Sequence, residues 1–310
     1  MSAITTLTQI GEYGPILLVV AVSGVIVSVL ARLVLTALGW ASFSVRAAAL
    51  QSFALLHMIF TICWITSLSA PIRFTDAAVS APPSTFQPLM RLASGAHSVA
   101  SIAGAAASES TAHVPHELLG GLLLVWLAGV VAYAARMIRG FYMLVGIRRR
   151  ARASETPGVV ISDEIDIPYV FGIRKPIIVV PADCDTWSEE QWTAVLAHER
   201  AHVARGDVAL RWANNVLLSL HWFNPGIRWL VAAAQDASEG ACDDAVVLHG
   251  TPRASYARAL LSFQGGIAPD VLRAAQPFVR HDGLEQRILA IVDAARRRRL
   301  PRLSDRVGPG

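Results

Sequence analysis

Long runs of apolar residues dominate the first half of the chain, and they cover residues 15–38, 47–70 and about 118–138. Arg32 is the only charged residue of the first run, and the second run has none. A helix needs about 20 predominantly apolar residues to cross a bilayer. The pattern therefore predicts three transmembrane helices within residues 1–145, with the Ala- and Ser-rich segment 71–117 joining the second to the third. A cleaved signal peptide, the alternative for the first run, requires basic residues before Arg32, and the sequence has none there.

Arginine placement predicts how these helices are oriented. Arg148, Arg149, Arg150 and Arg152 follow the third run, and basic residues flank the cytoplasmic ends of membrane helices. Alternation then places the N-terminus and the segment 71–117 outside the cell, and everything after the third helix in the cytoplasm. We therefore predict a multi-pass membrane protein whose second half is cytoplasmic and whose arginines contact membrane lipid.

The pattern changes after the third run, where short runs of β-branched residues are bounded by Gly and Pro. These runs, at residues 158–162, 169–173 and 176–181, predict the strands of a small sheet. The pattern that follows is helical. The predicted fold is a mainly α membrane protein with a cytoplasmic α+β domain over residues 146–295. A basic tail, 296–310, follows it and is expected to be solvated or to face lipid.

The composition agrees with this division. Hydrophobic residues make up 54% of the chain and charged residues 16%, whereas a soluble domain carries about a quarter charged residues. Three cysteines in 310 residues exclude a disulfide-stapled scaffold. The net charge of +4 is modest, so we expect no direct binding of nucleic acid.

One helix of the second half has a clear start and end. Ser188 and Gln191 match a capping box, and Trp187 and Trp192 occupy the two positions of a hydrophobic staple. Gly206 predicts the C-terminus of the helix. The helix between these signals carries the strongest chemical pattern of the chain.

His198, Glu199 and His202 form the pattern H-E-x-x-H within this helix. Residues four apart share a helix face, so both imidazoles can bind one ion, and Glu199 can act as a general base. The pattern arises by chance only about 0.01 times in a chain of this composition. The alternative is a buried histidine pair that binds no metal.

Catalytic zinc takes three protein ligands and leaves one position open, so we expect the third ligand on another helix. Asn224 and Pro225 predict the start of such a helix. Glu239 on this helix is the candidate ligand. Asp243, one turn later, is placed to accept the free N–H of a zinc-bound imidazole. The alternative for Glu239 is a solvated surface side chain.

Three other residues compete with Glu239 for the position of third ligand. Cys242 and Asp244 follow on the same helix, but Cys242 lies off the Glu239 face, which favours a buried cysteine. His221 precedes the helix and is expected to cap or pack at a turn. Residues 216–234 are apolar enough for a fourth span, but the polar residues at their centre are costly in hydrocarbon. Two buried or interfacial helices are therefore favoured there.

Five ordered blocks of this sequence resemble the BlaR/MecR-type integral-membrane zinc metallopeptidases. The blocks are FGIRKPIIVVP (171–181), HERAH (198–202), RGD (205–207), HWFNP (221–225) and EGACDD (239–244). The resemblance implies a gluzincin-like site in which His198, His202 and Glu239 hold one Zn²⁺ and Glu199 is the general base and acid. It also implies a protein substrate in the cytoplasm, such as a winged-helix transcriptional repressor of the BlaI/MecI type.

The sequence departs from the founding members of that family, which carry a penicillin-binding domain with a Ser-x-x-Lys nucleophile. The only lysine, Lys175, has Gly172 three positions earlier, so the chain has no Ser-x-x-Lys motif. Acylation by a β-lactam is therefore not expected. Arg287 is a candidate for contact with the substrate or the oxyanion, and a surface salt bridge is the alternative.

The sequence as a whole predicts a membrane-anchored zinc endopeptidase in a signalling pathway. Two alternatives remain. One is a quality-control or prenyl-peptide protease of the HtpX/CAAX type, which shares H-E-x-x-H and a downstream Glu-x-x-x-Asp. The other is a non-catalytic membrane signalling scaffold, against which Glu199 argues, because a structural metal site does not need a base.

Overall fold

The computed structural model describes residues 6, 15–39, 41–69, 115–262, 284–296 and 298. Three of the described helices are long and apolar enough to cross a membrane: α1 (Pro15–Ala37), α2 (Phe43–Ser69) and α3 (His116–Arg150). The shorter helices are α4 (Glu189–Arg205), α5 (Asp207–Leu220), α6 (Pro225–Leu248), α7 (Arg253–Ser262) and α8 (Leu284–Val292). The strands are β1 (Arg152–Ala153), β2 (Val159–Ser162), β3 (Tyr169–Phe171) and β4 (Ile177–Pro181).

This architecture confirms the predicted fold class, a mainly helical chain with three membrane-capable helices and a small sheet. The α2 helix begins before the predicted span, and α3 continues well beyond residue 138. Most of the predicted loop 71–117 lies outside the described residues, and so does the basic tail beyond Arg298.

The four strands form one mixed sheet in the order β1-β2-β4-β3. The β2 and β4 strands are parallel, and the two outer pairs are antiparallel. The tight turn from β3 to β4 requires Gly172, whose φ is +96° and whose added Cβ would lie 2.6 Å from the carbonyl oxygen of Lys175. The sequence predicts β2, β3 and β4 but not β1, which has only two residues, both exposed.

Helices cover the sheet on both faces, which explains why its strands are continuous apolar runs. On one face, Leu144 and Ile147 of α3 pack against Phe171 and Val179. On the other face, Leu196 of α4 packs with buried strand residues. The α3 helix has 35 residues, about 52 Å at 1.5 Å per residue, which exceeds a bilayer core of about 30 Å. Its last turns therefore belong to the core beneath the sheet.

The ends of α4 confirm the predicted signals. Both capping-box hydrogen bonds between Ser188 and Gln191 are present, and the ring centroids of Trp187 and Trp192 lie 6.2 Å apart. Gly206 ends the helix with a φ of 70°, a left-handed conformation that glycine adopts without steric cost. The direction in which the chain leaves α4 is thus set by local chemistry.

The α5 and α6 helices form a hairpin, so residues 216–234 belong to two helices and not to one continuous helix, as predicted. Asn224 caps α6, because its side-chain oxygen accepts hydrogen bonds from the backbone N–H groups of Gly226 and Ile227. The hairpin shares one hydrophobic core with α1 and α2. This core includes Ala31, Ala47, Leu50, Leu217, Leu218, Ile227, Leu230 and Val231.

The turn between α5 and α6, residues 221–224, touches all three membrane-capable helices. His221, which is fully buried, packs at this turn as predicted, and its Nε2 lies 3.1 Å from Thr61 Oγ1 of α2. The other two contacts are hydrogen bonds from Trp222 Nε1 to the Trp126 carbonyl of α3 (3.2 Å) and from Asn224 Nδ2 to the Ala21 carbonyl of α1 (3.1 Å). The α5–α6 hairpin, which carries Glu239, therefore contacts all three membrane-capable helices through its turn.

Candidate metal centre

Two helices bring the predicted site residues together. The α4 helix presents His198 and His202 on one face, and α6 packs against that face with Glu239. The Nε2 atom of His198 lies 3.3 Å from Glu239 Oε2, and Nε2 of His202 lies 3.5 Å from Glu239 Oε1. Glu239 is therefore not a solvated surface side chain.

These three donors have the spacing of ligands that share one ion. Two ligand atoms at 2.0–2.1 Å from a tetrahedral zinc ion are separated by about 3.3 Å, and the two measured separations match this value. Two imidazoles and a carboxylate are also a common donor set for zinc. His198, His202 and Glu239 could thus hold a metal ion with one position left open.

Glu199 occupies the position between the two histidines along α4. Its side chain is buried, with 8% of its surface exposed. A carboxylate that directly follows the first histidine of H-E-x-x-H is placed to exchange protons with a water molecule at the metal site. The Glu199 carboxylate therefore lies in the protein interior, and the residue directly follows His198 in the sequence.

The second ring nitrogen of His198 faces a buried tyrosine and a buried carboxylate. Tyr256 Oη lies 2.9 Å from His198 Nδ1, and Asp243 Oδ1 lies 3.3 Å from the same atom. The Tyr256 hydroxyl also donates a 2.6 Å hydrogen bond to Asp243 Oδ1. Asp243 is thus brought next to a site histidine. Tyr256 lies on α7 and belongs to no motif, so its contact with His198 could not be predicted from the sequence.

Arg287 of α8 binds this carboxylate from the other side. Its Nε and Nη2 atoms each donate a 2.8 Å hydrogen bond to Asp243, and its Nη1 lies 3.4 Å from Glu239 Oε2. Arg287 therefore forms a salt bridge, as the alternative predicted, but not at the surface, because the Asp243 side chain is only 4% exposed. It contacts two carboxylates of the cluster, and its contact with substrate or oxyanion stays a prediction.

The second ring nitrogen of His202 faces a different carboxylate, Asp207. The distance from His202 Nδ1 to Asp207 Oδ2 is 2.8 Å. The same oxygen accepts hydrogen bonds from Ser238 Oγ (2.7 Å) and Arg205 Nε (3.2 Å). No role for Asp207 was predicted from the sequence. The predicted helix end at Gly206 could have indicated it, because the left-handed Gly206 turns the chain so that Asp207, the first residue of α5, faces back toward α4.

Cys242 is buried beside this pair, as predicted, with its Sγ 3.3 Å from His202 Nδ1. His202, Asp207 and Cys242 form a second group that could hold a metal ion among the described residues. This group uses Nδ1 of His202, the atom that Asp207 already engages. The first group, in which both histidines offer Nε2, leaves these hydrogen bonds intact.

Burial and ion pairing shift the pKa values of the cluster residues in opposite directions. Burial acts to raise the pKa values of Glu239 and Asp243, but neighbouring histidine and arginine charges outweigh it and hold both well below their usual range. The pKa of Asp207 lies at about 2 for the same reason. Burial acts to lower the pKa values of His198 and His202, but the surrounding acidic side chains raise both instead.

Asp244, the remaining rival ligand, points away from the cluster. Its Oδ1 lies 3.2 Å from Arg298 Nε, and both side chains are 5% exposed. Arg296 stacks its guanidinium 3.5 Å from the ring centroid of Phe43. The expectation of a solvated tail is therefore wrong at Arg298, whose side chain is buried. Arg298 is drawn inward because it donates to carbonyl oxygens at the end of α8.

A cluster of this kind, joined to three membrane-capable helices, is typical of an integral-membrane metallopeptidase. Sequence comparison agrees: the family described as BlaR1 peptidase M56 matches residues 15–291. The chain belongs to this family. It is also similar to "Regulatory protein BlaR1" of Bacillus licheniformis, with 28% identity over 133 residues, 42% of this chain and 22% of that relative. The match thus spans about a fifth of the relative's length.

Proposed function

We propose that this protein is a zinc endopeptidase of the bacterial cytoplasmic membrane, whose α4–α8 region lies in the cytoplasm and cuts a protein there. The observation that carries the proposal is the convergence of His198 Nε2, His202 Nε2 and the Glu239 carboxylate on one point. The positions of Arg148, Arg149 and Arg150 at the end of α3 support the orientation.

The proposed reaction is hydrolysis of a peptide bond. A zinc ion held by the three side chains would supply a lowered pKa for water and stabilisation of negative charge on a carbonyl oxygen. Glu199 accepts a proton from the attacking water on its carboxylate and then delivers it to the amine nitrogen as the C–N bond breaks. The products are a carboxylate and an amine, and Glu199 returns to its starting state.

The residues around the cluster hold the two imidazoles in a productive orientation. Asp207 fixes Nδ1 of His202, and the pair of Tyr256 and Asp243 fixes Nδ1 of His198. Both Nε2 atoms therefore face Glu239. Such partners set the tautomer and the basicity of a metal-binding histidine.

We further propose that the substrate is a regulatory protein, such as a winged-helix transcriptional repressor. Support comes from the similarity to a relative that is itself named a regulatory protein and from the cytoplasmic side proposed for the site. The edge strand β3, which neighbours α4 in the fold, offers a place where an extended peptide can add as a further strand.

The test uses the full chain in lipid nanodiscs, loaded with zinc. Wild-type protein and the Glu199→Gln variant are incubated with a winged-helix repressor and, separately, with casein as a general substrate, and products are identified by mass spectrometry. We expect cleavage by the wild type only, with equal zinc content in both proteins. Equal cleavage by Glu199→Gln would remove Glu199 from the mechanism, and cleavage of casein alone would contradict the repressor as substrate.

A further inference from the structure

A cavity of about 330 Å³ opens beside Glu239, between α2, α5 and α6. This volume lies at the small end of the range for ligand-binding cavities, so it suits one or two side chains rather than a folded segment. Its polar lining includes Ser44 and Gln51 of α2, Arg211 and Asn214 of α5, and Gln235 and Glu239 of α6. The cavity therefore begins at the metal centre and extends along a membrane-capable helix.

The acidic groups that line this cavity are already engaged by the cluster. Among the described lining residues these are Asp207, which binds His202, and Glu239, which lies between the two site histidines. The basic groups are Arg205 and Arg211. Arg205 is committed to Asp207.

Arg211 is the basic group that a bound substrate can reach. Its Nη2 donates a 3.1 Å hydrogen bond to Glu239 Oε1, and a quarter of its side chain remains exposed. A divalent cation on the cluster compensates the charge of Glu239, because a bound cation is the largest local charge in such a site. The positive charge of Arg211, which lines the cavity, would then be available to an acidic ligand.

The polar side chains that α2 contributes to the cavity are neutral. Gln51 Nε2 donates to Asn214 Oδ1 at 3.1 Å, and Asn214 Nδ2 donates to Gln51 Oε1 at 3.3 Å. This reciprocal amide pair joins α2 to α5. The pair adds no carboxylate to the cavity, whose acidic side chains, Asp207 and Glu239, already contact the histidines. An anion entering the cavity can therefore reach the guanidinium of Arg211 and the amide groups.

We propose that this cavity is a specificity subsite that binds an acidic side chain of the protein substrate, with Arg211 as its partner. A guanidinium binds a carboxylate through two charge-assisted hydrogen bonds in a planar arrangement. The inference rests on the proposed peptidase function, since it names the side chain that lies next to the cut bond. Arg211 is a specificity residue here and takes no part in the proton transfers.

The test measures binding of defined probes, so it does not depend on turnover. The probes are peptide hydroxamates, in which the hydroxamate binds zinc and one of the four following positions carries either Asp or Asn. Dissociation constants are measured for zinc-loaded full chain in nanodiscs. We expect the Asp probe to bind about tenfold more tightly than the Asn probe at one position, since a charged hydrogen bond contributes at least this much.

The Arg211→Gln variant should bind both probes equally, and Arg211→Lys should keep part of the preference. Arg200→Gln is the matched control, because Arg200 is exposed on α4 and is not among the cavity residues. It should keep the full preference. If Arg211→Gln loses zinc, Gln51→Glu provides the independent variant: it adds a carboxylate to the cavity lining that α2 contributes, and it should weaken the Asp probe at least tenfold without replacing any residue of the cluster.

The outcomes separate the two proposals. Equal affinities for Asp and Asn at every position, or a preference that survives both Arg211→Gln and Gln51→Glu, would overturn the subsite while hydroxamate binding still supports the metal centre. Absence of zinc-dependent binding for every probe would overturn the metal centre, and the subsite with it.

Discussion

His198 and His202 occupy equivalent positions on α4, but different groups hold their second ring nitrogens. His198 faces a network in which Tyr256 and Asp243 are tied to Arg287 of α8. His202 faces Asp207, which follows it closely along the chain. The orientation of His198 thus depends on contacts from α7 and α8, whereas that of His202 depends on the turn that follows α4. The contacts of the two histidines can therefore be weakened separately.

Replacing Tyr256 by Phe should weaken zinc binding without unfolding the protein. The change removes the hydroxyl that donates to Asp243 and lies 2.9 Å from His198 Nδ1. Loss of such a partner typically lowers metal affinity by about 10- to 100-fold. Competition with a fluorescent chelator measures the affinity. Tyr169→Phe is the control, because the buried Tyr169 hydroxyl has no hydrogen-bond partner among the described residues; an equal effect of both changes would contradict the positioning role.

Zinc affinity should fall as the pH is lowered. In the protein the pKa values of His198 and His202 are raised, since neighbouring acidic groups outweigh the effect of burial. Raised values mean that the rings hold protons up to a higher pH, and the ion must displace them. Below these pKa values we expect about a tenfold loss of affinity per pH unit for each proton displaced. Isothermal titration calorimetry in buffers of different ionisation enthalpy counts the protons; a pH-independent affinity would contradict the assignment.

The sequence predicted the three side chains of the cluster and the neighbouring Asp243, but not the contacts of Tyr256 and Asp207 with the two imidazoles. His198, Glu199 and His202 belong to one short pattern, and the need for a third ligand directed attention to Glu239. Tyr256 has no such pattern, because its role arises only when α7 packs against α4. Tertiary contacts between distant segments leave no local periodicity in a single sequence.

At the scale of elements, α4 was the most predictable part of the fold. Its cap residues act on the backbone within one turn, so Ser188 and Gly206 could be identified from the sequence alone. The length of α3 was harder to predict. Its apolar run is followed by arginines that resemble the end of a span, but the helix continues to Arg150 because the sheet supplies further apolar contacts.

Gly206→Ala should disturb the metal centre through the backbone. Gly206 and Gly158 both have positive φ, 70° and 79°, and a Cβ at either position would have no heavy atom within 4 Å. A left-handed alanine costs about 1–2 kcal/mol at each position. Both variants should therefore lose similar stability in thermal unfolding. Only Gly206→Ala should also lower zinc affinity, since Gly206 directs Asp207 toward His202; equal zinc affinities would show that this turn does not position Asp207.

At the scale of the molecule, the α5–α6 hairpin, which carries Glu239, and two membrane-capable helices form one core. Leu50 of α2 is buried together with Leu217 of α5 and Leu230 of α6. The sequence predicted the change of texture after the third apolar run, and from it a division into two regions. The sequence could not predict that the two regions share a buried core. Each region has apolar residues that its own helices or strands would explain, so nothing in the pattern indicates contacts between the regions.

A fragment that begins at residue 146 should therefore fail to form the metal centre. Without α1 and α2, the apolar side chains of Leu217, Ile227 and Leu230 would be exposed to water. We expect aggregation, or a soluble fragment that binds no zinc, as measured by size-exclusion chromatography and metal analysis. Co-expression of residues 1–145 as a separate chain should restore zinc binding. A monomeric, zinc-binding fragment 146–310 would contradict this expectation.

The docking of residues 221–224 against three membrane-capable helices also orders the events of biogenesis. A ribosome releases α1, α2 and α3 before it releases the α5–α6 hairpin. The surface on which residues 221–224 pack therefore forms only after translocon-mediated insertion of these three helices. Glu239 lies beyond the tip, on the returning helix. Under the proposed peptidase function, a newly made chain that fails to reach the bilayer would therefore be inactive.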